Sequence, residues 1–274
     1  RRFSGDEIML DLAPNCYGFW KMNENAANTD VEDFSSQGNE GTFTDATGNP
    51  YTNQHDAAGK INGALLFDGV DDYVNVGTMG NFGGNMNNVT VAAWVKTPSD
   101  AAYALQGTGN DGATTALTTI LNSTSTGSYL SGAIRLFTRD DDGQRISAGA
   151  DFNTGVADNN WHLVIVILQK SLMTVRFYVD NVQKTTTYSG QRQSGTNYSN
   201  FQYPMSLGAN YNRGATNLYL EGLLDNFMIF DKALSEQERA FLWNGGNGRE
   251  SLSELHRRLV GGSLSANRKG LVCI

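Results

Sequence analysis

The run Trp161–Leu168, WHLVIVIL, is almost continuously apolar. It has the length of a strand and is rich in β-branched residues. A strand without polar alternation is one covered on both faces, so this run belongs at the centre of a sheet. Strand patterns recur on either side of it. Asn15–Met22 is short and aromatic, and Ala64–Asp68 turns at Gly69–Asp72 into Tyr73–Gly77. Thr90–Thr97 sets Val91, Ala93 and Val95 on one face, with Ala92, Trp94 and Lys96 on the other. Ala133–Arg139 and Arg145–Ala150 flank Asp140-Asp141-Asp142-Gly143, and Val175–Val179 and Val182–Thr187 flank Asp180-Asn181. Both interruptions have the chemistry of hairpin turns. The 31 glycines and 4 prolines follow no period and suit many short strands joined by tight turns. The chain reads as all-β.

Charged residues make up only 18% of the chain, against 39% hydrophobic, so the core is sizeable and the surface largely neutral-polar. The net charge of −8 argues against nucleic acid, whose binding rests on neutralising phosphates with Lys and Arg. No run approaches the ~20 apolar residues of a membrane span. The charge is unevenly spread. Arg249, Arg257, Arg258, Arg268 and Lys269 face only Glu250 and Glu254, so residues 249–274 carry +3 and residues 1–248 carry −11. This places a boundary near Gly245–Gly248, between a body at 15–248 and a basic tail at 249–274, with residues 1–14 as an N-terminal extension. Cys16 and Cys273 match no metal-ligand spacing, and the sequence leaves open whether they pair. The Arg-Arg-Phe start is that of a chain processed or truncated upstream.

Two segments read as helical. Ser235-Glu236-Gln237-Glu238 is a capping box, opening a short helix that ends at Gly245–Gly246. Ser251-Leu252-Ser253-Glu254 repeats the signature and predicts a second helix over 251–260, with Leu252, Leu255 and Leu259 at helical spacing.

Four stretches occur in a telling order: NCYGFWKMNE with DFSSQGNEGTF; GKINGALLFDGVDDYVNVG; NNWHLVIVI with VRFYVDNVQ; and LEGLLDNFMIFDKALSEQERAFLWNGG. Together, from about Tyr17 to Gly246, they resemble the laminin-G-like jelly rolls of the concanavalin A-like lectin/glucanase superfamily. The resemblance implies a two-sheet antiparallel jelly-roll sandwich, with one short helix after the last strand. It implies pairing of the first and last strands, Tyr17–Met22 beside Gly222–Phe230. It also implies an extracellular, cell-surface or virion-surface setting.

Many members of this family hold a structural calcium ion. The matching positions are Asp33, Asn39 and Asp225, and glycines beside Asn39 would let carbonyls turn inward. The plainer reading is that Asp33 caps a turn and Asp225 takes a loop hydrogen bond. For a sugar, the requirement is aromatic faces among amides and cations. Residues 186–213 supply Tyr188, Tyr198, Phe201, Tyr203 and Tyr211, which are alternatively core residues of edge strands. Glycosidases of this superfamily carry Glu-x-Asp-x-x-Glu on one strand, and that run is absent here. His162, at the start of the central strand, reads as a packing or edge residue.

The sequence therefore predicts a non-catalytic module, carbohydrate-binding or adhesive, with a glycan or surface protein as partner. The alternative is a structural or assembly subunit, such as an appendage or virion decoration protein. In that case the chain would form homo-oligomers through Leu252, Leu255, Arg257, Arg258 and Leu259 of its tail.

Overall fold

The central run forms the strand His162–Gln169, which is covered on both faces. A computed structural model describes residues 7–79, 82, 87–98, 101–109, 116–123, 133–140, 144–150, 155–188, 203–212, 215–258 and 264–266. Among these, two large antiparallel sheets make a sandwich. One has eight strands, seven of them in the order Val182–Lys184, Thr174–Val179, His162–Gln169, Asn88–Lys96, Glu221–Phe230, Gly63–Asp68, Asp56–Ala58. The eighth, Cys16–Trp20, pairs with the far half of Glu221–Phe230, with Trp20 opposite Phe227. The first and last strands of the body thus meet as the resemblance implies.

The facing sheet has nine strands. Its order is Thr186–Tyr188, Arg145–Ala150, Ala133–Arg139, Ala116–Ser123, Tyr103–Thr108, Ser206–Leu207, Tyr73–Asn75, Gly41–Thr44, Asp30–Val31. Alternation along each strand sends one set of side chains between the sheets. Val164, Val166 and Leu168 meet Leu117, Leu136 and Ile146 in that core.

The other face of the eight-stranded sheet is buried as well. Leu163, Ile165 and Ile167 project there with Phe19, Trp94 and Met228. Leu12, Leu234, Phe241, Leu242 and Leu252 lie over them. Phe241 and Leu242 belong to the helix Glu236–Trp243, opened by the predicted capping box: Ser235 takes the Glu238 amide while Glu238 accepts from the Ser235 N–H at 2.8 Å. The double cover explains why WHLVIVIL lacks alternation.

The turn at Asp180-Asn181 has both residues at positive φ, 53° and 63°, the type I′ geometry that matches strand twist. The Asp140–Gly143 hairpin joins paired strands, with Arg139 opposite Arg145; its residues 141–143 lie outside the described set.

The tail corrects the sequence reading. Ser253–Arg258 is a strand, not part of a helix over 251–260, and pairs antiparallel with Glu7–Asp11, Leu255 opposite Met9 and Arg257 opposite Glu7. Leu264–Ala266 adds a third strand, with Arg258 opposite Leu264. A helix of under three turns is marginal alone, whereas the extension offers a partner edge that satisfies the backbone. Leu259 lies outside the described residues. Residues 249–252 lie against the body: Arg249 donates to the Phe241 carbonyl, Glu250 accepts from Asn23, and Leu252 is buried.

Candidate functional site

The outward face of the nine-stranded sheet is where the two layers leave room. In Ala133–Arg139 the inward residues are Ile134 and Leu136, so Arg135, Phe137 and Arg139 point the other way. The register extends this into rows across the sheet. Ile120 stands opposite Arg135, Thr118 opposite Phe137, and Phe137 in turn opposite Ser147, while Arg139 stands opposite Arg145. A cleft of about 270 Å³ opens over these rows, bounded by Thr118, Arg135, Phe137, Arg139, Arg145, Asn210 and Tyr211.

Its wall is fixed by close contact. Asn210 sits over Gly107, where an added Cβ would lie 2.3 Å from its Oδ1, so only glycine fits. That oxygen accepts from Thr118 Oγ1 at 3.1 Å, and Asn210 Nδ2 donates to Asn217 Oδ1. Tyr211 follows directly, its ring 6.1 Å from that of Tyr203. Arg135 donates to Ser147 Oγ at 3.2 Å. The cleft therefore combines two half-buried aromatic rings, three guanidinium groups, two threonine hydroxyls and an amide. No carboxylate or imidazole lines it among the described residues.

The predicted aromatic set is divided. Tyr211 lines the cleft and Tyr203 stands behind it. Tyr188 lies instead in a second, more open groove of about 630 Å³ between Gln169 and Tyr188, its hydroxyl accepting from the Val175 amide at 2.9 Å. Tyr198 and Phe201 are outside the described residues. Arg135, Phe137, Arg139 and Arg145 were not foreseen as site residues.

The three residues matched to calcium act as internal hydrogen-bond acceptors and donors. Asp33 takes the Phe19 and Ser35 amides on one oxygen and the Ser35 hydroxyl and Asn39 amide on the other, at 2.8–2.9 Å. All its acceptor positions are thereby filled with hydrogens. Asn39 donates its side-chain amide to the Tyr17 carbonyl and accepts from the Trp20 indole on its own carbonyl. Asp225 sits in a strand irregularity beside Asn226 at φ 49°, and accepts from the Ile61 amide at 2.8 Å. Its burial pushes the carboxyl up to about 7. This donor-filled arrangement fits a turn cap and a loop anchor, and does not fit a shared cation.

Carboxylates converge elsewhere. Asp68, Asp71 and Asp72 bring oxygens within 4.8 Å of one another, as do Asp45 and Asp72 with His55. The ring nitrogens of His55 lie near carbonyls, Nδ1 3.3 Å from Leu66 O and Nε2 2.9 Å from Asn49 O, and each is 3.7 Å from a carboxylate, Asp72 and Asp45 respectively. The 68–72 turn differs. Asp68 and Asp72 use one oxygen each on turn amides, while Asp71 Oδ1 and Asp72 Oδ1 are buried without a hydrogen-bond partner among the described residues. Asp72 is 1% exposed, and its burial pushes the carboxyl up to about 6.

His162 clamps the turn of its neighbours, with Nδ1 2.7 Å from Asp180 Oδ2 and Nε2 3.0 Å from Asp158 Oδ1. Cys16 is buried, donates its thiol to the Gly18 carbonyl, and is pushed up to about 12 by burial. That makes it inert. Cys273 lies outside the described residues. Among those described, no helix is long and apolar enough to cross a membrane.

Comparison with known proteins agrees with the architecture. Domain 4 of AbnA, an extracellular GH43 arabinanase of Geobacillus stearothermophilus solved with arabinotriose, superposes with a TM-score of 0.56 at 16% identity, over 81% of this chain and 95% of that one. The receptor-binding domain of botulinum neurotoxin C/D mosaic serotype gives 0.56 at 14% identity, over 85% and 51%. The serotype D ligand-binding domain in complex with N-acetylneuraminic acid gives 0.55 at 15%, over 85% and 52%. The chain thus spans about half the length of the toxin domains, and these likenesses concern the fold. No curated protein matches the chain in sequence. A laminin-G family model matches residues 68–238, more than half of the chain, and on that match the chain belongs to the concanavalin A-like lectin/glucanases superfamily.

Proposed function

We propose that this protein is a non-catalytic saccharide-binding module, working at a cell or virion surface or outside the cell. The observation that carries the reading is the cleft on the open face of the nine-stranded sheet. A sugar ring needs a flat apolar face to stack on and fixed polar groups for its hydroxyls. Phe137 and Tyr211 supply the first, and Thr118, Asn210 and the arginines the second. Among the described residues the lining has no carboxylate pair of the kind glycoside hydrolysis uses. The arabinotriose complex of a similarly folded domain supports the ligand class.

A saccharide panel titrated calorimetrically against the full chain tests this, beside Phe137→Ala and Tyr211→Ala. Each ring removed should weaken binding about tenfold or more. Unchanged affinity in both variants, with their folding intact, would contradict the reading.

We also propose that a hard divalent cation, calcium in particular, is held by Asp68, Asp71 and Asp72, where two buried carboxylate oxygens have no donor among the described residues. Self-association through the tail draws less support, because Ser253–Arg258 finds its partner strand in the same chain.

A further inference from the structure

We infer that Asn217, which does not itself line the cleft, positions the Asn210 amide so that Thr118 only accepts from a ligand. The cleft then takes sugars through a hydroxyl that donates there; this rests on the saccharide-binding reading above. Asn210–Asn212 and Ala215–Asn217 pair with each other apart from the two large sheets, with Asn217 opposite Asn210. The pair crosses Tyr103–Thr108 at Gly107, where an added Cβ would come within 2.9 Å of the Asn210 Cα as well as 2.3 Å of its Oδ1. The bare glycine thus lets one backbone lie directly on another. Gly107 stands opposite Thr118, and Thr118 opposite Phe137. The Asn210 amide, the Thr118 hydroxyl and the Phe137 ring therefore follow one another across the face.

Protons give this row a direction. Thr118 Oγ1 donates to Asn210 Oδ1 at 3.1 Å, and Asn210 Nδ2 donates to Asn217 Oδ1, also at 3.1 Å. A hydroxyl carries one proton, and that of Thr118 is committed to Asn210, so its oxygen meets a ligand with lone pairs alone. An asparagine amide is free to turn over and exchange its two ends, and two neighbours oppose that here. Asn217 presents an oxygen to the nitrogen end. Gly107 presents Cα hydrogens to the oxygen end, which a carbonyl accepts and an NH2 group would repel. Asn210 is only 8% exposed whereas Asn217 is open to solvent, so a surface residue holds a buried one. A ring stacked on Phe137 brings its substituents to Thr118. A free hydroxyl answers that oxygen; an ether or a C–F group does not.

The tightest binder of the saccharide panel, with arabinotriose tried first, is titrated beside analogues in which each hydroxyl in turn is replaced by fluorine. The proteins are the full chain, Asn217→Ala and Asn217→Asp. For the wild type at least one analogue should bind about tenfold more weakly than its parent, because Thr118 is left without a donor. Asn217→Ala should cut that loss to about threefold or less and weaken the parent, whereas Asn217→Asp, which still accepts from Asn210, should keep both. The melting temperatures should agree, since residue 217 is exposed. Analogues that all bind like the parent, or a loss of the same size in Asn217→Ala, would overturn the polarity assignment. The Asn210 side-chain amide protons give a readout without ligand: slow exchange in the full chain and Asn217→Asp, faster exchange in Asn217→Ala. Equal exchange in all three would overturn the positioning itself. Binding of no saccharide at all, with that exchange pattern intact, would overturn only the saccharide reading beneath it.

Discussion

Trp243 stacks on Trp94, with ring centroids 5.3 Å apart and planes 19° from parallel. Trp94 stands on the outer face of the eight-stranded sheet and Trp243 ends the helix that covers it. This contact decides which surface is left for a ligand. The helix and the terminal segments fill much of the second face of the eight-stranded sheet, and the cleft opens on the facing sheet.

Truncating Trp243 to Ala should therefore destabilise by about 2 kcal/mol, lowering the melting temperature by several degrees. Leu172→Ala, at a side chain 61% exposed, should change it by less than about 0.5 kcal/mol. Calorimetry of the two variants checks the difference. Saccharide affinity should be the same in both, because neither residue lines the cleft.

Deleting residues 249–274 should lower the melting temperature, since Leu12 loses Leu252 and Glu7–Asp11 loses its partner strand. The loss should not depend on protein concentration. A melting temperature of the full chain that rises with concentration, with sedimentation showing dimers, would instead indicate tail exchange between copies.

The pKa of His162 is raised, chiefly by the hydrogen bond to Asp180. Its protonated form is favoured in the native state, so this stabilisation is full below the ordinary histidine value of about 6.5. It is lost as pH rises through the higher native value. Asp158 has the opposite sense: bonds to Asn160 and then His162 hold it at about 2, so its contribution is lost only as pH falls toward that value. Between pH of about 6 and 8, His162→Gln should flatten the decline in melting temperature. An identical slope in both proteins would contradict the clamp.

Asp225 contributes with the same slope for a different reason. Burial raises its pKa to about 7, so the native state holds a proton that the unfolded chain releases near the usual carboxylate value. Stability should decline as pH rises between those values. Asp225→Asn should remove that decline while costing about 1–2 kcal/mol at low pH. The Ile61 amide and the Asn226 side chain donate to different carboxyl oxygens, and in asparagine one of those positions becomes an NH2 group that faces a donor.

Saturating calcium should raise the melting temperature of the wild-type chain, and more than magnesium does. A cation at about 100 times its dissociation constant adds ~2.7 kcal/mol. Asp72→Asn should abolish the response, whereas Asp33→Asn should lower the baseline and keep the response. The reverse pattern would return the ion to Asp33.

The sheets were legible because their signal is local. WHLVIVIL named a strand covered twice, Asp180-Asn181 named a turn, and Ser235 with Glu238 named a helix start. The tail was not legible, because Leu252, Leu255 and Leu259 keep a helical spacing while the deciding partner, Glu7–Asp11, lies about as far away in sequence as the chain allows. The site was half legible. Tyr211 drew notice as an aromatic in a polar stretch, but Arg135, Phe137 and Arg139 looked like an ordinary alternating strand. Nothing in AIRLFTR says which of its faces stays open; the packing of the two sheets does.

The central claim, that a saccharide lies over Thr118, Phe137, Arg139 and Tyr211, is tested most directly by amide chemical-shift mapping of the full chain during a saccharide titration. The account predicts that the perturbed amides cluster in Ala116–Ser123, Ala133–Arg139 and Asn210–Asn212. Perturbations confined to the groove between Gln169 and Tyr188, with the cleft strands unmoved, would contradict it.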